Sequence, residues 1–152
     1  MIEIAFLVDR LETIPTLTRW FRAQWPDYYA GLTSAEIAQD FQEDAKRDGL
    51  PVRLVALVDG QLAGTIVLRE EATWNLPEYR PGLGGLFVTE SYRGQGVGTA
   101  LVRAGMELAM GQSHEMVYAT TVNARGILER LGWTLVREVS HDDECYCSMV
   151  VN

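Results

Sequence analysis

The chain has 152 residues, 47% of them hydrophobic, with thirteen Lys and Arg against twenty-one Asp and Glu and a net charge of −8 at pH 7. That length suits one domain, residues 1–152, whose core is large enough to need neither disulfides nor a structural metal. The acidic balance argues against a general nucleic-acid binder, which needs clustered cations to neutralise phosphates, and fits a cationic or amine partner.

Met1 to Arg10 carries Glu3, Asp9 and Arg10, so it lacks the basic start and long apolar centre of a secretory leader. No apolar run is long enough for a membrane helix. Cys145 and Cys147 are the only cysteines, two apart in an expected strand. They share a face there, but extended geometry makes a mutual disulfide awkward. Reduced thiols in a cytoplasmic protein are the expectation, and no second ligand pair supports a metal.

Residues 2 to 8 are mostly apolar and β-branched, a short buried strand by pattern. Thr13 is placed to cap a helix with Pro15 in its first turn; Ile14, Leu17 and Phe21 share a face before Pro26 stops it. Thr33-Ser34-Ala35-Glu36 has the spacing of a capping box, and Ile37, Phe41 and Ala45 recur every four residues until Gly49-Leu50-Pro51 ends a second helix. Val52 to Val58 and Leu62 to Leu68 are strands joined by Asp59-Gly60, the type I′ hairpin signal. A polar, aromatic loop from Glu70 to Tyr79 then leads to the central strand, Leu83 to Val88.

That strand runs through a short link into Arg93-Gly94-Gln95-Gly96-Val97-Gly98 and a helix ending near Gly111. Glycines at alternate positions clear side chains from the point where the first helical N–H groups have no intrahelical partner, so those groups can face an anion. A mononucleotide P-loop is excluded because Thr99 and Ala100 stand where Lys and Ser or Thr are needed. A dinucleotide fingerprint fits poorly, since the loop is G-x-G-x-G and follows a run of consecutive strands. Met116 to Thr121 follows as a strand, parallel to the central one if the crossover is right-handed. A short helix from Arg125 to Leu131 is capped at Gly132, and Trp133 to Glu138 with Glu144 to Val151 form a closing hairpin. The expected class is α/β (α+β), one mixed sheet covered by helices.

Leu86-Phe87-Val88 followed by Tyr92-Arg93-Gly94-Gln95-Gly96-Val97-Gly98-Thr99-Ala100-Leu101, and later Leu128-Glu129-Arg130-Leu131-Gly132-Trp133, resembles the GNAT superfamily of acyl-CoA-dependent N-acetyltransferases. The resemblance is sharp over residues 83 to 134 and architectural elsewhere. It implies a mostly antiparallel sheet of about seven strands, splayed in the middle and flanked by about four helices, with acetyl-CoA as cosubstrate and no metal. By residue matching it implies that Gly94, Gln95, Gly96, Val97, Gly98 and Thr99 hold the pyrophosphate, with Arg93 beside them. The pantetheine arm would run along Leu86, Phe87 and Val88, and a backbone N–H near Val88 would polarise the thioester carbonyl. The cofactor-contacting asparagine of relatives falls by spacing on Thr121, with Asn123 the available asparagine. The family's tyrosine acid falls on Leu128; Tyr146, Tyr118 or water could replace it.

Glu70, Glu71 and Glu78, just before the central strand, are the candidates for a base acting directly or through water. Trp25, Tyr28, Tyr29 and Trp74 are candidates for the walls of the acceptor site, whereas Trp20 and Trp133 suit the core. His114 and His141 read as exposed turn residues, and Asp142-Asp143-Glu144 as a hairpin tip. The expected partner is a small-molecule or peptide amine, with a homodimer admitted by the resemblance and no nucleic acid or membrane. Two alternatives stay open: a non-catalytic acyl-CoA sensor, and a phosphate-ligand enzyme such as a small-molecule kinase.

Overall fold

The computed structural model describes residues 1–73 and 77–152. Its elements are β1 (Ile2–Phe6), α1 (Ile14–Gln24), α2 (Ser34–Glu43), β2 (Val52–Val58), β3 (Gln61–Arg69), β4 (Gly82–Val88), α3 (Val97–Gly111), β5 (Val117–Thr121), α4 (Arg125–Arg130), β6 (Thr134–His141) and β7 (Glu144–Val151). The strands form one sheet in the order β1-β2-β3-β4-β5-β7-β6. Every neighbouring pair is antiparallel except β4 and β5.

Period-two alternation on β2 divides the core between two faces. Leu54 and Ala56 join Leu68, Leu83, Leu101, Val102, Leu128, Trp133 and Met149 under α3 and α4. Val55 and Leu57 join Leu7, Leu17, Phe21, Ile37 and Phe41 under α1 and α2. Each such fully buried aliphatic or aromatic side chain stabilises the fold by about 1.5 to 3 kcal/mol. Both hairpins carry the left-handed turns their loops require, Asp59 (φ 50°) with Gly60 (φ 83°) and Asp142 (φ 50°) with Asp143 (φ 65°).

Two local expectations change. Thr13 does not cap α1: its backbone is already helical and its hydroxyl donates back to the Arg10 carbonyl at 2.6 Å, because a 3₁₀ turn runs straight into the helix. The capping box at Thr33 and Glu36 does form, through two bonds of 3.1 and 2.9 Å. However, α2 stops at Glu43, well before Gly49, and Ala45 lies beyond it. The cause is tertiary: the Asp44 carbonyl accepts from Arg53 N–H at 3.1 Å, and the Asp44 carboxylate pairs with Arg53 Nε at 3.0 Å. Arg53 is buried, stacked over Phe21 and Phe41, and also donates to Thr65 Oγ1. Loss of solvent lowers its pKa and raises that of Asp44, each effect outweighing their mutual attraction.

The sheet parts in its middle. β4 and β5 share a single register pair, Gly82 with Tyr118, fastened by Tyr118 N–H to the Pro81 carbonyl at 3.0 Å. Beyond it β4 bends. From Phe87 to Gly84 the strand takes one residue more than β3 does from Thr65 to Val67, and Gly85 absorbs the bulge at φ 60°. No helix among the described residues is long and apolar enough to cross a membrane.

Candidate active site

The glycine loop leaves the end of β4 and enters α3 through Gly96, whose φ of 88° is left-handed and whose absent Cβ would meet nothing within 4 Å. The first intrahelical bond is Ala100 N–H to the Gly96 carbonyl at 3.0 Å. The N–H groups of Val97, Gly98 and Thr99 therefore precede the ladder, at the positive end of a fifteen-residue helix. Arg93, Gly94, Gln95 and Gly96 are exposed, while Val97 and Gly98 are buried. Arg93 Nε donates to the Val88 carbonyl at 2.9 Å, tying the loop to the end of β4, and Gln95 Nε2 donates to the Ser91 carbonyl. The cradle expected between Gly94 and Thr99 is thus open on its outer side.

Leu86, Phe87 and Val88 are half-buried on the part of β4 that has left β5. Phe87 turns toward α1 and packs on Trp20, Phe21 and Trp25 at 5.5 to 6.2 Å between ring centroids. Across the gap, Thr121 Oγ1 accepts from Ala124 N–H at 2.9 Å, which shapes the turn into α4, and Asn123 is exposed. Leu128, at the position of the family's tyrosine, is 3% exposed and belongs to the core under α3. Trp133 is buried and donates its indole N–H to Met106 Sδ at 3.4 Å.

On the side of the split nearer α1 and α2 lies a cleft of about 830 Å³. Its walls come from Tyr28, from Arg69 to Thr73 at the end of β3, and from one face of β5, β7 and β6. The position of the 70–73 segment depends on Gly82: a methyl there would overlap the backbone of Glu71 and Ala72. Ala72 N–H then closes the loop by donating to the Tyr79 carbonyl at 2.8 Å. The ring of Tyr79 stacks on Tyr118 at 4.9 Å. Glu70 and Glu71 are thereby held where β4 and β5 begin to separate.

The cleft brings together Glu70, Glu71, Tyr146 and Tyr28 from three distant parts of the chain. The Tyr146 phenol has a raised pKa, first from loss of solvent and then from the Glu144 carboxylate, which keeps it a proton donor. Glu78 is exposed and outside the lining. Tyr29 is half-buried against Tyr28, its pKa raised by burial, and Trp25 packs edge-on to Phe21; neither lines the cleft. Trp74 lies outside the described residues. Sequence reasoning missed Arg69, Thr120, Arg137 and Ser148, which also line the cleft, and treated His141 as merely exposed. The alternation of Arg137, Val139 and His141 along β6 was the available signal, since alternate residues share a face.

Among the described residues, one group of metal-ligand types gathers, Glu138 with Cys145 and Cys147, within 4.8 Å. Arg125 already donates to Glu138 Oε1 at 2.7 Å and to Cys147 Sγ at 3.8 Å, so a guanidinium stands where a cation would. Both thiols are free.

Residues 14–133 match the family model described as Acetyltransferase (GNAT) family. The chain belongs to the GNAT family. No curated protein matches the sequence, so membership rests on that match and on the fold. Similar solved structures include an aminoglycoside 6′-N-acetyltransferase complexed with coenzyme A, at 19% identity and a TM-score of 0.73, covering 98% of this chain and 96% of that one. A Salmonella typhimurium protein whose structure holds its cofactor acetyl-CoA aligns at 12% identity and a TM-score of 0.75, covering 99% and 92%. The ribosomal-protein-alanine N-acetyltransferase of Brucella melitensis aligns at 17% and 0.72, covering 99% and 98%. At these identities the likeness is one of fold.

Proposed function

We propose that the protein transfers an acetyl group from acetyl-CoA directly to a primary amine. The observation that carries this reading is the parting of β4 from β5 after Gly82, with an open helix N-terminus at one end and a cleft bearing Glu70, Glu71 and Tyr146 alongside. The residues fit the cosubstrate: the space beyond Gly96 is unobstructed, and the edge of β4 past the bulge is unpaired with β5. Val97, Gly98 and Thr99 would hold the diphosphate by their N–H groups. Each helix-end contribution is about 0.3 to 2 kcal/mol, against about 8 for micromolar binding. The β4 edge from Leu86 to Val88 would therefore supply much of the remainder.

When bound, acetyl-CoA supplies an activated thioester. The amine nitrogen bonds to the acetyl carbon as the carbon–sulfur bond breaks. Glu70 or Glu71, directly or through water, takes the proton the amine loses, and Tyr146 gives one to the departing thiolate. A backbone N–H near Val88 would stabilise the oxygen charge that develops. At pH 7 a lysine-like amine costs about 4.6 kcal/mol to deprotonate and an α-amino group about 1 to 1.4, so the carboxylates matter most for the former.

Calorimetric titration with acetyl-CoA, CoA and ATP, followed by thiol release over a panel of amines, tests the proposal. Acetyl-CoA should bind and at least one amine should release thiol. Tight binding with no release across a broad panel would favour an acyl-CoA sensor, and ATP binding better than CoA would favour a kinase.

A further inference from the structure

The cleft carries both signs of charge. Glu70 and Glu71 can attract an ammonium group, and they suffice for a simple amine. Arg69 and Arg137 line the same space, and each would repel such an amine. Among the described residues neither guanidinium lies within 4 Å of a carboxylate, as is also true of Arg19, Arg22, Arg93, Arg103 and Arg130, but these two share one cleft. Arg69 donates from Nε to the Glu71 carbonyl at 3.3 Å. Its Nη2 lies over Gly84, where an added Cβ would stand 2.6 Å away, so the cation sits at the mouth of the β4–β5 split. It is reachable from the cleft, yet enough protein surrounds it to lower its pKa by desolvation, with Asp44 only partly compensating. Arg137 stands on β6 opposite Ser148, whose hydroxyl meets that of Thr120 at 3.1 Å. The third basic group of the lining, His141, is engaged by Asp142 at 3.2 Å. Two guanidinium groups without a carboxylate partner, Arg69 beside Glu70 and Glu71 on one wall and Arg137 on the other, line a small-molecule-sized cleft and are an arrangement for a ligand with both charges.

We infer that the acceptor is a zwitterion carrying a carboxylate as well as the amine, of the α-amino acid class, with Arg69 and Arg137 holding the carboxylate. The inference rests on the acetyltransferase reading, and it narrows the acceptor from amines in general to amines beside an acid group. It excludes polycationic amines as good substrates.

The test compares each free α-amino acid with its own carboxamide, using thiol release at saturating acetyl-CoA. The best acid should exceed its amide in kcat/KM by about tenfold or more, the scale of a charge-assisted pair. Arg69→Lys and Arg137→Ala should raise the KM for the acid and shrink that preference, with the KM for acetyl-CoA unmoved and the folded state checked by thermal unfolding. Carboxamides or simple amines acetylated as well as the acids would overturn the inference while leaving the acetyltransferase reading intact. A shift in the acetyl-CoA KM instead would place Arg69 on the cosubstrate and overturn it likewise. If no amine releases thiol, calorimetry of the same amino acids against the CoA-treated protein still decides. Binding that Arg137→Ala abolishes would support the arginine pair although the enzyme reading had failed, and no binding by any amino acid would end it.

Discussion

Replacing Gly96 by Glu and, separately, by Gln measures whether an anion sits at the start of α3. Both substitutions force an L-residue to φ 88°, which costs about 1 to 2 kcal/mol. The new Cβ meets no protein atom within 4 Å in either variant, and the two side chains have nearly the same shape. Their stabilities should therefore fall together, by about 2 to 8 °C in Tm for a chain of this size. They differ only in charge. At about 5 Å, and an effective dielectric between about 80 and 20, one unit of repulsion costs about 0.8 to 3 kcal/mol. A diphosphate presents about two such charges, so the Glu variant should bind acetyl-CoA at least about tenfold more weakly than the Gln variant. Calorimetry at low and high salt reads this, and the gap should narrow as salt screens it. Equal affinities for the two variants, with equal melting temperatures, would refute the placement of the diphosphate between Gly94 and Thr99.

Tyr146→Phe should lower kcat while leaving acetyl-CoA affinity alone. The loss should be about tenfold, below the usual range for an acid, because a thiol of pKa about 8.5 leaves with little help; an unchanged kcat would remove Tyr146 from the proton path. Since its pKa is raised from 10.0, kcat should show no alkaline limb from this phenol at lower pH. Asp44→Ala leaves Arg53 as a buried, uncompensated cation and should cost about 3 to 5 kcal/mol in denaturant unfolding. The double change Asp44→Leu with Arg53→Met should cost less than the single, because both charges then leave the interior. Glu36 has its pKa lowered by its hydrogen bonds to Thr33, so the folded state holds this proton less tightly than the unfolded one. Its contribution is present above the ordinary value of 4.5 and is lost as pH falls through the folded value. The stability difference between the native chain and Glu36→Gln should accordingly close in acid and stay constant above pH 4.5.

Features governed by a few consecutive residues were legible in the sequence. Asp59-Gly60 specified a hairpin because only left-handed turns match strand twist, and Thr33 with Glu36 specified a helix start because two orphan N–H groups find partners three residues apart. The loop from Arg93 to Thr99 belongs with these: its glycines and the helix behind them leave N–H groups outside the helical ladder without help from distant residues. The same locality misled at Ala45, where apolar spacing continued but the buried Arg53 drew Asp44 out of the helix.

The cleft was a tertiary decision. Nothing near Glu70 or Glu78 in the chain distinguishes one from the other, and only the close approach of Glu71 and Ala72 to Gly82 holds the first beside the split and leaves the second outside. Tyr28, Arg69, Arg137 and Tyr146 are widely separated in sequence and meet because β7 inserts between β5 and β6, turning one face of that subsheet toward the end of β3. Sequence alone determined that a glycine-lined turn and a helix start would follow β4, leaving main-chain N–H groups outside the helical ladder there. Which side chains wait at the other end depends on long-range strand order, where each contact joins residues that no local pattern links.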